Sequence, residues 1–296
     1  MEIMVAISVL SILLGMVLQL MGSASRLTNN SRQNTDCDTE ARYILDQITT
    51  DLALRVRRPD VDAYVEKRNG SDRFYFFAEK SGYAANVMED QERSPFSLVG
   101  YRIFQRDNRF ELQRYARALP WVDTEDKLNL AMPYVLLAGD PPRPVPETTL
   151  KVAFAPVIDN NESQATYYQL LAENVVRLEF AFLTKPDPLA TTPSPAALLT
   201  QQEEIEEEIS LHGFTRIASV VVTLAIVDPQ NMARLDATQI TSFLETSGFD
   251  AQPSNSIPLS LPMANWNKEF TMQSADAKFP RALRNGIRFY QRTIRL

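Results

Sequence analysis

The sequence has very few of the residues that most often carry chemistry. Among its 296 residues there is one cysteine, Cys37, which excludes an internal disulfide, and one histidine, His212, which leaves no second histidine for a metal cluster or shared catalysis. The phosphate-binding patterns GxGxxG and GxxxxGK(S/T), the zinc pattern HExxH and the CxxC pair are all missing. The segment Asp159–Glu162 gathers oxygen ligands, but without the regular spacing of a calcium loop we expect a solvated turn. We therefore expect a protein that is not an enzyme, with no catalytic residues, no metal and no cofactor.

An overall excess of positive charge is also lacking. The chain carries 37 acidic and 30 basic residues, for a net charge of −7, so we expect no nucleic-acid partner. The charge is uneven, because Ala277–Leu296 contains six basic residues and no acidic one, whereas Glu203–Glu208 is almost entirely acidic. Such runs usually only solvate a surface, but the basic stretch is also a candidate partner-contact tail. The residues of that candidate tail are Arg284, Arg288 and Arg292.

Charge is absent altogether from the long apolar run Ile3–Met21. A helix of this length just crosses a hydrocarbon core of about 30 Å, so we expect a transmembrane helix over residues 1–22. A cleavable signal peptide is a weaker interpretation, because no Lys or Arg precedes the run, although Gly22–Ser25 offers small residues. Glu2 stands at the edge of the run, where a carboxylate is costly unless a cationic group neutralises it.

The residues after the run predict a helical stalk over positions 23–58. Polar Ser, Thr and Asn residues over Gly22–Asn34 predict a bend, Thr35-Asp36 predicts a helix start, and Arg57-Arg58 before Pro59 predicts its end. Spacings of i, i+4 predict three ion pairs on the solvent side: Asp38–Arg42, Arg42–Asp46 and Asp51–Arg55. Helical periodicity predicts a buried face formed by Ala41, Ile44, Leu45, Ile48 and Leu52.

Beyond the stalk the pattern is mostly that of β-strands. We expect strands at Arg73–Ala78 and Val175–Leu183, and a hairpin of Leu98–Arg106 with Arg109–Arg117 that buries one face only. The nearly all-apolar run Ile217–Val227 predicts a central strand. Helical patterns occur at Met232–Thr246 and at the C-terminus, where Leu283, Ile287, Tyr290 and Ile294 predict a terminal helix with its arginines outward. We therefore expect an α+β fold, with the long N-terminal helix packed on a mainly antiparallel β-sheet domain over residues 59–296, which includes a mobile insertion at about 185–212.

The N-terminal segment Glu2–Met21 resembles that of type IV prepilins and type II secretion pseudopilins. The match begins with Glu2-Ile3-Met4-Val5-Ala6-Ile7 at the family's glutamate and continues through an apolar helix. The family's basic leader, glycine cleavage site and first mature residues are not seen here. Either the start is truncated or misassigned, or the chain is never processed. The resemblance favours truncation, with prepilin peptidase as a partner if a leader exists. The general layout resembles the minor pseudopilins of the J type, and the segments Ile287–Arg292 and Arg216–Pro229 resemble Verru_Chthon cassette protein C.

The resemblance implies a pilin-like fold and a structural minor subunit of a type II secretion or type IV pilus-like assembly. It implies a single-pass inner-membrane protein with its globular domain in the periplasm and with sibling pseudopilins or pilin-like subunits as partners. It also implies that Glu2 pairs with the N-terminal amine of a neighbouring subunit, while small residues let neighbouring helices approach closely. Those small residues are Ala6, Ser8, Ser11 and Gly15. Two alternatives stay open: a single-span anchored periplasmic binding domain that does not polymerise, and an anchored enzyme with an unrecognised site.

Overall fold

The computed structural model describes residues 2–57, 63–66, 71–80, 96–106, 109–118, 167–185, 198–199, 214, 217–244, 261–276 and 279–296, without some side chains within residues 2–30, 198–199 and 237–244. The chain divides into two compact units, residues 1–40 and residues 41–296. The first helix, α1 (Glu2–Ala53), contributes its first part to one unit and its second part to the other.

Helix α1 is continuous through this stretch, so the predicted new helix start at Thr35 is wrong. Hydroxyl groups in this stretch donate hydrogen bonds to carbonyl groups of the preceding turn, so these polar residues do not interrupt the helix. The Oγ of Ser23 donates to the carbonyl of Leu20 at 2.9 Å, and the Oγ1 of Thr28 donates to that of Ala24 at 2.9 Å. The helix also ends earlier than predicted, at Ala53.

No helix in the described part of the chain is both long enough and apolar enough to cross a membrane. The expectation of a transmembrane helix over residues 1–22, and of a single-pass inner-membrane protein with a periplasmic domain, is therefore wrong.

The first sheet has five strands in the order β1-β2-β3-β4-β5, and neighbouring strands run antiparallel. The predicted strand at Arg73–Ala78 and the predicted hairpin are confirmed. The predicted single buried face is wrong, because neighbouring residues Tyr101 and Arg102 point to opposite faces and both are buried. The strands are β1 (Tyr64–Glu66), β2 (Arg73–Ala78), β3 (Ser97–Arg106), β4 (Arg109–Ala118) and β5 (Tyr168–Glu173).

The second sheet has four antiparallel strands in the order β7-β6-β8-β9. The predicted central position of Ile217–Val227 is confirmed, because β8 lies between β6 and β9. The predicted C-terminal helix is wrong. The backbone becomes extended at Ile287, and residues from Ile287 to Arg295 pair with β8. The strands are β6 (Val175–Thr184), β7 (Leu198–Leu199), β8 (Ile217–Val227) and β9 (Ile287–Arg295).

The remaining described helices are short. The helical pattern expected over Met232–Thr246 is confirmed in part, since a helix covers Ala237–Leu244, while the preceding helix ends at Met232. The described core is therefore two antiparallel sheets with short helices, and the expected pilin-like α+β fold is wrong. The helices are α2 (Pro229–Met232), α3 (Ala237–Leu244), α4 (Pro262–Ser274) and α5 (Arg281–Gly286).

Hydrogen bonds and aromatic packing join the two sheets. The N–H of Asp72 donates to the carbonyl of Leu178 at 2.9 Å, and the Oδ2 of Asp72 accepts from the N–H of Phe180 at 2.7 Å. The rings of Phe74 and Phe180 lie 5.0 Å apart between the sheets. The predicted buried face of the second part of α1 is confirmed, since its five apolar residues are all at most 5% exposed. His212, the segment Asp159–Glu162 and most of the predicted insertion lie outside the described residues.

Candidate assembly surface

The first part of α1 exposes a long series of large apolar side chains. The least exposed of them, Val17, is 51% exposed, and the most exposed, Met4, is 78% exposed. Contiguous exposed apolar area of this extent makes this part of the helix a candidate contact surface. We call it the apolar helix surface; its described members are Ile3, Met4, Ile7, Leu10, Ile12, Leu13, Leu14, Met16, Val17, Leu18, Leu20 and Met21.

This surface runs around the helix and is not confined to one stripe. Ile12, Leu13 and Leu14 are consecutive, and each is at least half exposed. Successive positions on a helix point about 100° apart, so three consecutive apolar residues cover most of its circumference. Such a helix can be covered fully only if neighbours pack on several sides.

The small residues predicted for helix pairing lie on α1, and two of them have described surroundings. The Oγ of Ser11 donates to the carbonyl of Ile7 at 2.8 Å, so its hydroxyl group is satisfied within the helix. Apart from the nearby backbone of α1 itself, no atom of the described residues comes within 4 Å of the position that a Cβ would take at Gly15. An internally satisfied serine and a bare glycine both leave room for close approach of a second helix. Glu2, Ala6 and Ser8 belong to α1 by their backbone, and their side chains lie outside the described part.

The three arginines of the predicted tail all lie in the unit of residues 41–296. Arg284 lies on α5, where its Nη2 donates to the carbonyl of Asp276 at 2.9 Å. Arg288 and Arg292 lie on β9, and Arg292 forms an ion pair with Asp46 of α1. All of these residues belong to the unit of residues 41–296.

A buried polar cluster around Asp51 was not predicted from the sequence. Asp51 is 0% exposed, and its Oδ2 accepts hydrogen bonds from the Nε of Arg114 and the hydroxyl of Tyr101, each at 2.5 Å. Its Oδ1 accepts from the Nζ of Lys80 at 2.8 Å and from the Nε2 of Gln47 at 3.0 Å. The carboxylate thus joins the second part of α1 to β3 and β4 of the first sheet.

Electrostatics keep the Asp51 carboxylate ionised. Burial by itself raises the pKa of Asp51, but the hydrogen bond and charge of Arg114, with the hydrogen bonds from Lys80 and Tyr101, outweigh burial and leave the pKa below its ordinary value. Burial and the neighbouring Asp51 charge raise the pKa of Tyr101 well above its ordinary value. A carboxylate that accepts four hydrogen bonds is poorly placed to act as a base or to bind a ligand, so this cluster is structural.

The predicted surface ion pair between Asp51 and Arg55 is wrong. Arg55 is 6% exposed, its Nη1 donates to the carbonyl of Leu52 at 2.8 Å, and its guanidinium lies 5.6 Å from the ring centroid of Phe214. Burial, and then the charge of Arg57, lower the pKa of Arg55 to about 10, so it stays protonated at neutral pH. A cation at this position is stabilised by the carbonyl end of the helix.

A row of tyrosines crosses the first sheet and was also not predicted. The strand register aligns Tyr64, Tyr75, Gly100, Tyr115 and Tyr168 across all five strands. The hydroxyl groups of Tyr75 and Tyr168 lie 2.9 Å apart. A Cβ at Gly100 would overlap the ring of Tyr75, so glycine makes room for that ring. Burial raises the pKa of Tyr75, Tyr115 and Tyr168, which keeps these side chains neutral.

No group of three or more His, Cys, Asp or Glu side chains in the described ranges is placed to hold a metal ion. Comparison with known proteins gives no further assignment, because no protein-family model, no curated protein and no solved structure matches the chain.

Proposed function

We propose that this chain is a structural subunit of a prepilin- or pseudopilin-type assembly, of the kind that serves type II secretion or type IV pili. Subunits associate through the apolar helix surface, which other pilin-like helices cover on several sides. The observation that carries the proposal is the exposure of every described large apolar side chain from Ile3 to Met21. At about 25 cal/mol per Å² of apolar area, covering such a surface is a strong driving force for association.

The small residues support this mode of packing. Ser11 needs no partner outside its own helix, and the space beside Gly15 is open. Close helix contact at these points gains van der Waals packing without leaving a polar group unsatisfied.

In this proposal Glu2 selects the axial register between subunits. The resemblance of Glu2–Met21 to pilin-like N-termini assigns its carboxylate to the N-terminal amine of a neighbour. Burying a carboxylate without a cationic partner costs several kcal/mol, so only a register that forms the pair is favourable.

The test compares two sets of apolar-to-polar substitutions at similarly exposed positions. The first replaces Leu10, Leu14 and Leu18, which lie along one face of the helix at i, i+4 and i+8, with Gln. The control replaces Leu170 and Met272, which are 53% and 61% exposed in the other unit, with Gln. Sedimentation velocity and co-purification with pilin-like subunits encoded in the same genome are measured for both sets.

The proposal expects the wild type and the control to associate equally, and the helix variant to sediment as a monomer and lose its pilin-like partners. Equal association of the helix variant and the wild type would contradict it. A wild-type chain that is monomeric and binds no pilin-like subunit would favour a binding domain that does not polymerise.

A further inference from the structure

Arg55 carries a buried positive charge that has no acidic partner in the described part of the chain. The residue is 6% exposed, and its Nη1 donates to the carbonyl of Leu52. Its Nε is buried and has no hydrogen-bond acceptor among the described residues. Asp51, four positions earlier, is held by Arg114 and Lys80 instead. Since a buried charge is costly unless it is paired, this guanidinium has the chemistry of an anion site.

The shape of the guanidinium indicates which anion fits. Its Nε and one Nη present a planar fork, and the two N–H groups of that fork match the two oxygens of a carboxylate. The Nη1 of Arg55 is used by the end of the helix, so the remaining fork consists of Nε and Nη2. One carboxylate bound there would balance one buried positive charge.

A second buried polar group lies on the same face of the first sheet. Arg55 forms an isolated antiparallel bridge with Ala78, and Ala78 pairs with Ser97 of β3. Side chains of directly opposed residues point to the same face, so Arg55 and Ser97 flank the small side chain of Ala78. Ser97 is 0% exposed, and its Oγ has no hydrogen-bond partner among the described residues. Two such groups on one buried face indicate a shared polar ligand.

The ring of Phe214 packs beside this face in a strained backbone conformation. Its centroid lies 5.6 Å from the Arg55 guanidinium and 6.3 Å from the ring centroid of Phe76. Phe214 has a φ of 63°, in the left-handed region that a bulky side chain rarely adopts. Residues held in such conformations cluster at ligand sites and switch regions, so the strain is a further indication of a site.

The charges nearby favour an anion. Burial, and then the charge of the exposed Arg57, lower the pKa of Arg55, so a second positive charge acts on the same position. Glu79 follows Ala78 in the chain and therefore points to the opposite face, where it is exposed. The local potential is thus positive on the face that Arg55 and Ser97 share.

We propose that Arg55 and Ser97 form a binding site for the carboxylate group of a small organic acid. The Nε and Nη2 of Arg55 donate to its two oxygens, and the hydroxyl of Ser97 is a further donor. The site uses no residue of the apolar helix surface, so its failure would leave the assembly proposal untouched.

The test titrates the full chain, in a neutral detergent that covers the apolar helix surface, with sodium acetate as the simplest carboxylate. Nitrogen–proton correlation NMR follows the Nε–H signal of Arg55, which is assigned by its disappearance in Arg55→Lys. Sodium chloride at equal ionic strength controls for screening, and sodium phosphate tests the class of anion. Ser97→Ala removes the second donor. Its matched control is Ser23→Ala, which removes a hydroxyl that bonds within α1.

The wild type and Ser23→Ala are expected to show a saturable movement of this signal with acetate and none with chloride. Ser97→Ala is expected to bind acetate about fivefold more weakly, the effect of one lost hydrogen bond. Acetate is also expected to raise the Tm of the wild type and not that of Arg55→Lys, which keeps the charge and loses the fork.

Three outcomes would overturn the proposal. The first is a wild-type signal that does not saturate with acetate or that moves equally with chloride, a readout that does not depend on how any variant folds. The second is saturation by phosphate without saturation by acetate, which would make the site specific for a different anion. The third is equal acetate binding by the wild type and Ser97→Ala, which would remove Ser97 from the site.

Discussion

The Nε of Arg114 on β4 donates a 2.5 Å hydrogen bond to the Oδ2 of Asp51 on the last turn of α1, and both side chains are almost completely buried. Two residues far apart in sequence thus form the main polar contact between this part of the helix and the first sheet. Because the pair is shielded from water, breaking it is expected to lower the free energy of unfolding more than breaking a surface ion pair does.

Asp51→Asn is expected to lower the free energy of unfolding by about 3–5 kcal/mol, because it leaves the Arg114 charge buried without its counter-charge. Chemical denaturation at neutral pH measures the change. The matched control is Asp46→Asn on the same helix, which breaks the more exposed ion pair with Arg292. That substitution is expected to cost less than about 1 kcal/mol. Equal losses in the two variants would contradict the assignment of Asp51 as the buried anchor.

The contribution of Asp51 is expected to depend on pH in a definite direction. Its pKa in the folded chain is lower than the ordinary value of 3.8, so the folded state favours the ionised form. The stabilisation is therefore fully present above the ordinary pKa and is lost as the pH falls through the lowered one. The difference in unfolding free energy between the wild type and Asp51→Asn should stay constant from neutral pH down to about pH 5 and shrink below about pH 4. A difference that grows on acidification would contradict this account.

Gly100→Ala is expected to destabilise the first sheet by about 1–3 kcal/mol, because the added methyl group overlaps the ring of Tyr75. The control is Gly15→Ala, where the position of the new Cβ is open and helix propensity predicts a small gain in helix stability. Thermal unfolding followed by circular dichroism compares the two. If Tyr75→Leu restores part of the stability lost in Gly100→Ala, the overlap with the ring is the cause. If the stability losses of Gly100→Ala and Tyr75→Leu simply add in the double variant, the backbone and not the ring is the cause.

Strong local patterns predicted much of the β structure. The aromatic run Arg73–Ala78 and the β-branched run Ile217–Val227 fix their strands, because the residues of each run suit a buried sheet whatever lies around it. The apolar spacing from Ala41 to Leu52 likewise identified the buried face of the helix.

Partners distant in sequence explain most of what the patterns missed. Asp51 has the i, i+4 spacing of a surface pair with Arg55, and only Tyr101 and Arg114 from the facing sheet make it a core residue. At the C-terminus, apolar residues at helical spacing also fit a strand, and pairing with β8 decides between the two. The register that aligns Gly100 with Tyr75 depends on β2–β3 pairing, which no local pattern shows.

The most direct test of the central claim, assembly through the apolar helix surface, is disulfide cross-linking at Gly15. Cys37 is the one cysteine of the chain and is 1% exposed, so the wild type provides an unreactive background. Gly15→Cys places a thiol in the open space on the helix, and Met272→Cys places one at an exposed position on α4 as the control. Under mild oxidation the account predicts that Gly15→Cys forms covalent dimers between copies at concentrations where Met272→Cys stays monomeric. Equal cross-linking of the two variants, or none at Gly15→Cys, would contradict it.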